Sequence, residues 1–350
     1  MPVRQARSDD HSDVWLRPGL ERATALGGAL LDTALFDVDG VLIETQRSYR
    51  LAVIHGSERL VRAAGLEPPD PMVSQEDVAA LKLAGGFNSD WDLTRLFAAL
   101  WTARLREWRG APEAEAPVTH WAAQAAEAAR EGRGGVAWLL AALPATAIPS
   151  EAEARWAHDE FYWGAALARE LFGREPVYGP EAAGFVHNEE LLLDETLLPA
   201  LAQQRIAKLG LITGRVGPEV DWAVRALAER CGLEENDGWR WHESAHGRSP
   251  FGSIVPATIY AKPNPRALAH ALEALEARAA VYVGDTADDL DLVLRYRREL
   301  AAQETGSAVR PPVLAAMVAM GAAAEAYRAR GADLILARVT QLPAALARIP

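Results

Sequence analysis

Cysteine is all but missing from this chain: Cys231 is the single thiol in 350 residues. No disulfide can close within it and no cysteine-rich metal centre can form, a count that fits a reducing compartment. Basic charge is also scarce. Lys and Arg total 36 against 48 Asp and Glu, for a formal net charge of -12. No basic stripe is available to neutralise phosphates, so nucleic acid is excluded as an expected partner. Long apolar runs are absent too. The stretch to Leu20 is polar and charged, and the run Ala23–Leu31 is short, contains glycines and stops at Asp32. Neither reads as a signal peptide or a membrane span, so the expectation is a cytoplasmic protein with no membrane partner. The eight histidines form no ligand-spaced cluster; His242 and His246 are four apart, but Gly247 and Pro250 beside them argue for loop residues.

What is present is ample material for a core, with 50% hydrophobic residues, in a chain longer than one typical domain. No repeat is found at periods of about 20–50 residues. Three textures divide the sequence. Residues 1–29 read as a polar leader, and residues 46–187 are Ala-, Leu- and Trp-rich with helical spacing. Residues 30–45 and 188–350 alternate helices with short apolar strands. In the helical segment, Leu51, Ile54, His55, Glu58 and Leu60 follow an amphipathic pattern. Ser74-Gln75-Glu76-Asp77 opens a second helix as a capping box, Trp91–Trp108 is a third, and Pro112 and Pro117 mark a loop. Helices resume over 120–130 and 136–143, and Ser150 caps one running to Leu171. The tryptophans at helical positions read as packing. In the alternating segments, strands are expected at 34–36, 207–212, 259–261, 280–283, 313–320 and 332–336. That alternation predicts an α/β fold: a doubly wound parallel sheet with an inserted, mostly α-helical domain.

Polar residues stand where these strands end, the edge at which doubly wound sheets bind ligands. Asp37 and Asp39 are two apart in Phe36-Asp37-Val38-Asp39-Gly40, so they face the same side of the strand end. Either they serve local turn geometry, or they hold a cation; oxygen ligands suit Mg2+. Asp285 and Asp289, after Ala280–Val283, add carboxylates to such a site. Thr213 supplies a hydroxyl, the backbone around Gly214 supplies N–H groups, and Lys262 supplies a positive charge, all suited to phosphate.

Four segments together resemble the signature motifs of the haloacid dehalogenase superfamily: Asp37-Val38-Asp39-Gly40-Val41, Leu211-Ile212-Thr213-Gly214, Lys262 in Ala-Lys-Pro-Asn-Pro, and Gly284-Asp285-Thr286-Ala287-Asp288-Asp289. Order and separation also fit, over roughly residues 30–45 and 188–345. The insertion is similar to the helical cap of subfamily I members, though larger, and the resemblance implies that it closes over the site. The resemblance implies Asp37 as nucleophile forming an aspartyl-phosphate, and Asp39 as acid and then base. It implies Mg2+ on Asp37, the Asp39 carbonyl and Asp285, with Asp289 beside them. Asp39, Gly40, Thr213, Gly214 and Lys262 would hold the phosphoryl group. Dehalogenases and phosphonatases of the superfamily lack the second aspartate, so Asp39 favours phosphate monoesters, and a small phosphorylated metabolite is the expected partner. Phosphomutases keep both aspartates and stay open, as does a catalytically silent binding protein with the same fold.

Lys82, Asn88, Asp90 and Trp91 flank the paired glycines Gly85-Gly86. They either line a cleft for substrate or form a helix–loop–helix corner with Asn88 or Ser89 as cap. Arg50 and Arg215 either meet a second anionic group of the substrate or form surface ion pairs.

Overall fold

The computed structural model describes residues 14–20, 26, 28–84, 87, 89–106, 127, 135–179, 181–230, 241–302 and 310–349. The chain divides into two compact units, Met1–Glu44 with Leu191–Pro350, and Thr45–Glu190.

The first unit is built on a seven-stranded sheet. Its strands are β1 (Trp15–Leu16), β2 (Thr33–Phe36), β3 (Lys208–Thr213), β4 (Phe251–Pro256), β5 (Ala280–Gly284), β6 (Val313–Val318) and β7 (Leu334–Leu336). Their spatial order is β1-β7-β6-β5-β2-β3-β4. Every neighbouring pair is parallel except the edge pair β1–β7. Connecting helices include Pro218–Arg230, Pro265–Ala274 and Ala287–Ala302.

The two-residue period of a strand sorts the core into two layers. Phe36, Leu211 and Val283 join one apolar cluster, while Leu35, Ile212 and Tyr282 join another. Both sets are fully or almost fully buried, so each face of the sheet is covered. Burying each such side chain contributes about 1.5–3 kcal/mol.

Two expectations change here. The leader contributes structure, because Trp15–Leu16 pair with Ile335 and Leu334 and Leu20 is wholly buried; isolated apolar residues in a polar stretch suffice for a two-residue edge strand. The segment 259–261 is not a strand: Ile259 is 49% exposed, and the strand before Lys262 is β4. Gly252 and Ser253 dilute the apolar signature of β4 in the sequence.

The second unit is helical, with helices Tyr49–Ala63, Gln75–Ala84, Asp90–Leu105, Val136–Ala141 and Glu151–Phe172. Their starts follow the local chemistry. The Ser74 hydroxyl accepts from the Asp77 N–H (3.1 Å) and Ser150 forms a reciprocal capping box with Glu153. Ser89 caps the third helix by accepting from the Asp92 N–H at 3.2 Å. The first helix buries Ala52, Val53, Gly56, Ser57, Leu60 and Val61, a face one step round from the stripe through Leu51, Ile54 and Glu58. Small residues sit where the helices approach, and a hydrophobicity pattern does not register them. Trp163 is deeply buried, as expected of packing. The helix expected over 120–130, apart from Glu127, and Pro112, Pro117, Trp108 and Trp121 lie outside the described residues. Among the described residues, no helix is long and apolar enough to cross a membrane.

Candidate active site

The sheet register assembles the site. β2 lies between β3 and β5, with Phe36 opposite both Leu211 and Val283. The residues just beyond these positions therefore emerge side by side at the carboxyl ends: Asp37 after β2, Thr213 at the end of β3, Asp285 after β5. Asp37 extends the pairing by one bond, its N–H donating to the Val283 carbonyl at 2.8 Å. The chain then turns sharply. The Leu42 and Ile43 N–H groups donate to the Val38 carbonyl, and the Gly40 N–H donates to the Ile43 carbonyl. Gly40 has φ 76°, and a Cβ there would lie 2.1 Å from Asp285 Oδ2. Only glycine permits both the turn and the close approach of Asp285.

Carboxylates outnumber cations at this edge. Oxygens of Asp37, Asp285 and Asp289 lie within 4.8 Å of one another. Lys262 Nζ sits 2.7 Å from Asp37 Oδ2 and 2.8 Å from Asp289 Oδ1. Asp289 accepts further bonds from Tyr282 (2.6 Å), the Thr286 hydroxyl (2.6 Å) and the N–H groups of Thr286 (3.0 Å) and Asp285 (3.3 Å). Burial by itself would raise the Asp289 pKa, but Lys262, Thr286 and Tyr282 outweigh it and hold the carboxyl below its usual range. Asp37 goes the other way. Burial lifts it well above the ordinary carboxylate value, Lys262 opposes this, and the charges of Asp289, Asp285 and Asp39 push it up further. A cation among Asp37, Asp285 and Asp289 would relieve that repulsion. An all-oxygen donor set of this kind fits a hard divalent ion such as magnesium.

Asp39 is held differently. Its Oδ1 accepts from Arg215 Nε at 2.9 Å and lies 2.8 Å from a terminal guanidinium nitrogen of the same residue. The Arg215 side chain is 0% exposed, while that of Asp39 is 29% exposed. Another Arg215 nitrogen donates to the Glu219 carbonyl at 3.4 Å. Thr213 is buried, and its hydroxyl accepts from the Arg215 N–H at 3.1 Å. Gly214 between them is exposed.

The structure thus gathers Asp37, Asp39, Gly40, Thr213, Gly214, Lys262, Asp285 and Asp289 in the first unit. It changes the reading of Arg215, which is neither a surface ion pair nor free for a substrate anion, because its buried guanidinium is turned onto Asp39. In the second unit, Lys82 pairs with Asp90 at 2.8 Å. Trp91 Nε1 donates to Asp159 at 2.7 Å, and Arg155 covers its ring at 4.1 Å. These contacts support the corner reading of that segment. Arg50 lies in the first turn of helix Tyr49–Ala63, half-buried, and Asn88 lies outside the described residues. Sequence reasoning missed Tyr282, whose hydroxyl anchors Asp289, and Tyr327, whose hydroxyl donates to the Asp285 carbonyl at 2.9 Å. An aromatic residue, whether in an apolar strand like Tyr282 or an alanine-rich helix like Tyr327, gives no sign of where its hydroxyl points.

Comparison with known proteins matches residues 31–292 to the family described as haloacid dehalogenase-like hydrolase. No curated protein matches. Among solved structures, phosphatase Tt82 from Thermococcus thioreducens is similar, with 25% identity, TM-score 0.52, and coverage of 82% of this chain and 92% of that one. CbbY from Rhodobacter sphaeroides, solved with phosphate, matches at 18% identity and TM-score 0.43, covering 91% and 99%. A β-phosphoglucomutase from Clostridium difficile matches at 13% identity and TM-score 0.40, covering 89% and 93%.

Proposed function

The chain belongs to the haloacid dehalogenase-like hydrolases, and from that membership we propose that it is a magnesium-dependent phosphatase acting on a small phosphate monoester, such as a sugar phosphate. The observation that carries this reading is Asp37: a buried carboxylate at a strand end, braced by Lys262 and flanked by Asp285, with a second carboxylate two residues on. The likeness to phosphatase Tt82 supports it.

Asp37 attacks phosphorus, forming an aspartyl-phosphate as the ester P–O bond breaks, and the leaving alkoxide takes a proton from Asp39. Asp39 then takes a proton from water as the water oxygen attacks phosphorus. The aspartyl P–O bond breaks, phosphate leaves, and the Asp37 carboxylate is restored. The Thr213 hydroxyl and the Lys262 ammonium hold the phosphoryl oxygens, with the backbone at Gly214 beside them; the Gly40 N–H is taken by the Ile43 carbonyl. Asp37, Asp285 and the Asp39 carbonyl would hold magnesium, which supplies positive charge against the phosphoryl oxygens when bound. Asp289, already accepting from Lys262, Tyr282 and Thr286, would steady Lys262 and the turn that carries Asp285.

A panel of phosphorylated metabolites with magnesium tests this reading. Free phosphate from the wild type and none from Asp37→Asn supports it. Isomerised ester without phosphate would indicate a phosphomutase, and no reaction with any ester would indicate a silent binding protein.

A further inference from the structure

The steps above give Arg215 no part, yet it is among the largest fully buried side chains of the described residues. Burying a guanidinium is costly unless it is paired and hydrogen-bonded. Its partners are specific. Nε and a terminal nitrogen converge on Asp39 Oδ1, and another nitrogen reaches the Glu219 carbonyl at the start of helix Pro218–Arg230. The Arg215 N–H also donates to the Thr213 hydroxyl.

We propose that Arg215 is the positioning residue for Asp39, clamping one carboxylate oxygen so that the other is aimed at the leaving-group oxygen. Asp39 stands on a turn with its side chain partly exposed, and a lone carboxylate there would rotate freely. Two bonds from one rigid, planar guanidinium to a single oxygen remove that freedom. Both contacts fall on Oδ1, so Oδ2 is the oxygen that gives a proton to the departing alkoxide and takes one from water. The same residue touches Thr213 through its backbone, so acid and phosphate-holding hydroxyl are set by one short segment, 213–215. The inference rests on the phosphatase reading.

Leaving-group chemistry tests it. An alkyl phosphate needs a proton from Asp39 as its ester bond breaks, whereas p-nitrophenyl phosphate leaves as a stable anion and does not. Single-turnover release of the leaving group is measured for both esters with wild type, Arg215→Met and Arg215→Lys. In Arg215→Met, release of the alcohol should slow about 100-fold, and release of p-nitrophenolate by less than about threefold. A nitrophenolate burst should then precede slow turnover, because the second step still needs Asp39. Arg215→Lys, with one ammonium in place of the fork, should fall between wild type and Arg215→Met on the alkyl ester alone; it carries the test if Arg215→Met does not fold. Equal slowing of both esters would mean that Arg215 only supports the fold and would overturn the proposal, as would unchanged rates. If the wild type releases neither leaving group, the phosphatase reading itself fails and takes this inference with it.

Discussion

Lys262 Nζ lies 2.8 Å from Asp289 Oδ1, in a place where the lysine side chain is 11% exposed and the aspartate 0%. The pair joins the loop after β4 to the first turn of helix Ala287–Ala302. Lys262 also braces Asp37, so one cation balances two buried carboxylates. Lys262→Met would leave them facing each other, at a cost of about 3–5 kcal/mol. Thermal or denaturant unfolding of the metal-free protein checks this; a loss under about 1 kcal/mol would show that the carboxylates do not depend on Lys262.

Magnesium should stabilise the wild type. At about 100 times the dissociation constant, binding to the native state adds about 2.7 kcal/mol. For a unit of this size that is a rise in Tm of roughly 5–10 °C. Asp285→Asn should abolish most of the rise. Equal shifts in the two proteins would remove Asp285 from the metal site.

Gly40→Ala should damage the site through a steric clash and backbone strain together. A methyl group there meets Asp285 Oδ2 at 2.1 Å, on a residue with φ 76°. Asp285 or the turn must move. We expect a loss of about 1–3 kcal/mol in stability and at least about a tenfold loss of phosphate release. A variant indistinguishable from wild type in both assays would contradict the close approach.

Asp32 gives a pH-dependent test away from the site. Burial would raise its pKa, but the Arg278 N–H, the Thr33 hydroxyl and Lys208 together hold it below the usual carboxylate value. A depressed folded-state pKa stabilises the protein above the unfolded value of 3.8 and ceases to do so as pH falls through the folded value. Asp32→Asn should therefore cost about 1 kcal/mol at neutral pH, with Lys208, partly exposed, adding little to it. The difference between the proteins should vanish in strong acid. A difference that persists there would mean a packing effect.

Much of the candidate site is legible in the sequence because strand-end chemistry is local. Asp37, Thr213 and Asp285 each stand directly after an apolar run, and parallel pairing brings such positions together without further information. Lys262 was readable as a residue while its strand was not, because Gly252 and Ser253 interrupt the apolar signature of β4 and a turn separates it from the lysine. The partner of Arg215 could not be read at all: Asp39 is 176 residues away, and no local pattern marks a contact made only by tertiary packing. Tyr282 failed for the same reason, since its place in β5 was evident but the direction of its hydroxyl was not. In the helical unit, the pairing of Lys82 with Asp90 and of Trp91 with Asp159 depends on how helices meet. Periodicity does not encode that.

The central claim is that Asp37 carries the phosphoryl group. Wild-type protein is mixed with magnesium and a hydrolysable monoester, quenched in acid within one turnover, digested and analysed by mass spectrometry. The account predicts one phosphoryl group on the peptide containing Asp37, removed by hydroxylamine and missing from Asp37→Asn. Phosphate released without any labelled peptide, a label on another residue, or turnover retained by Asp37→Asn would contradict it.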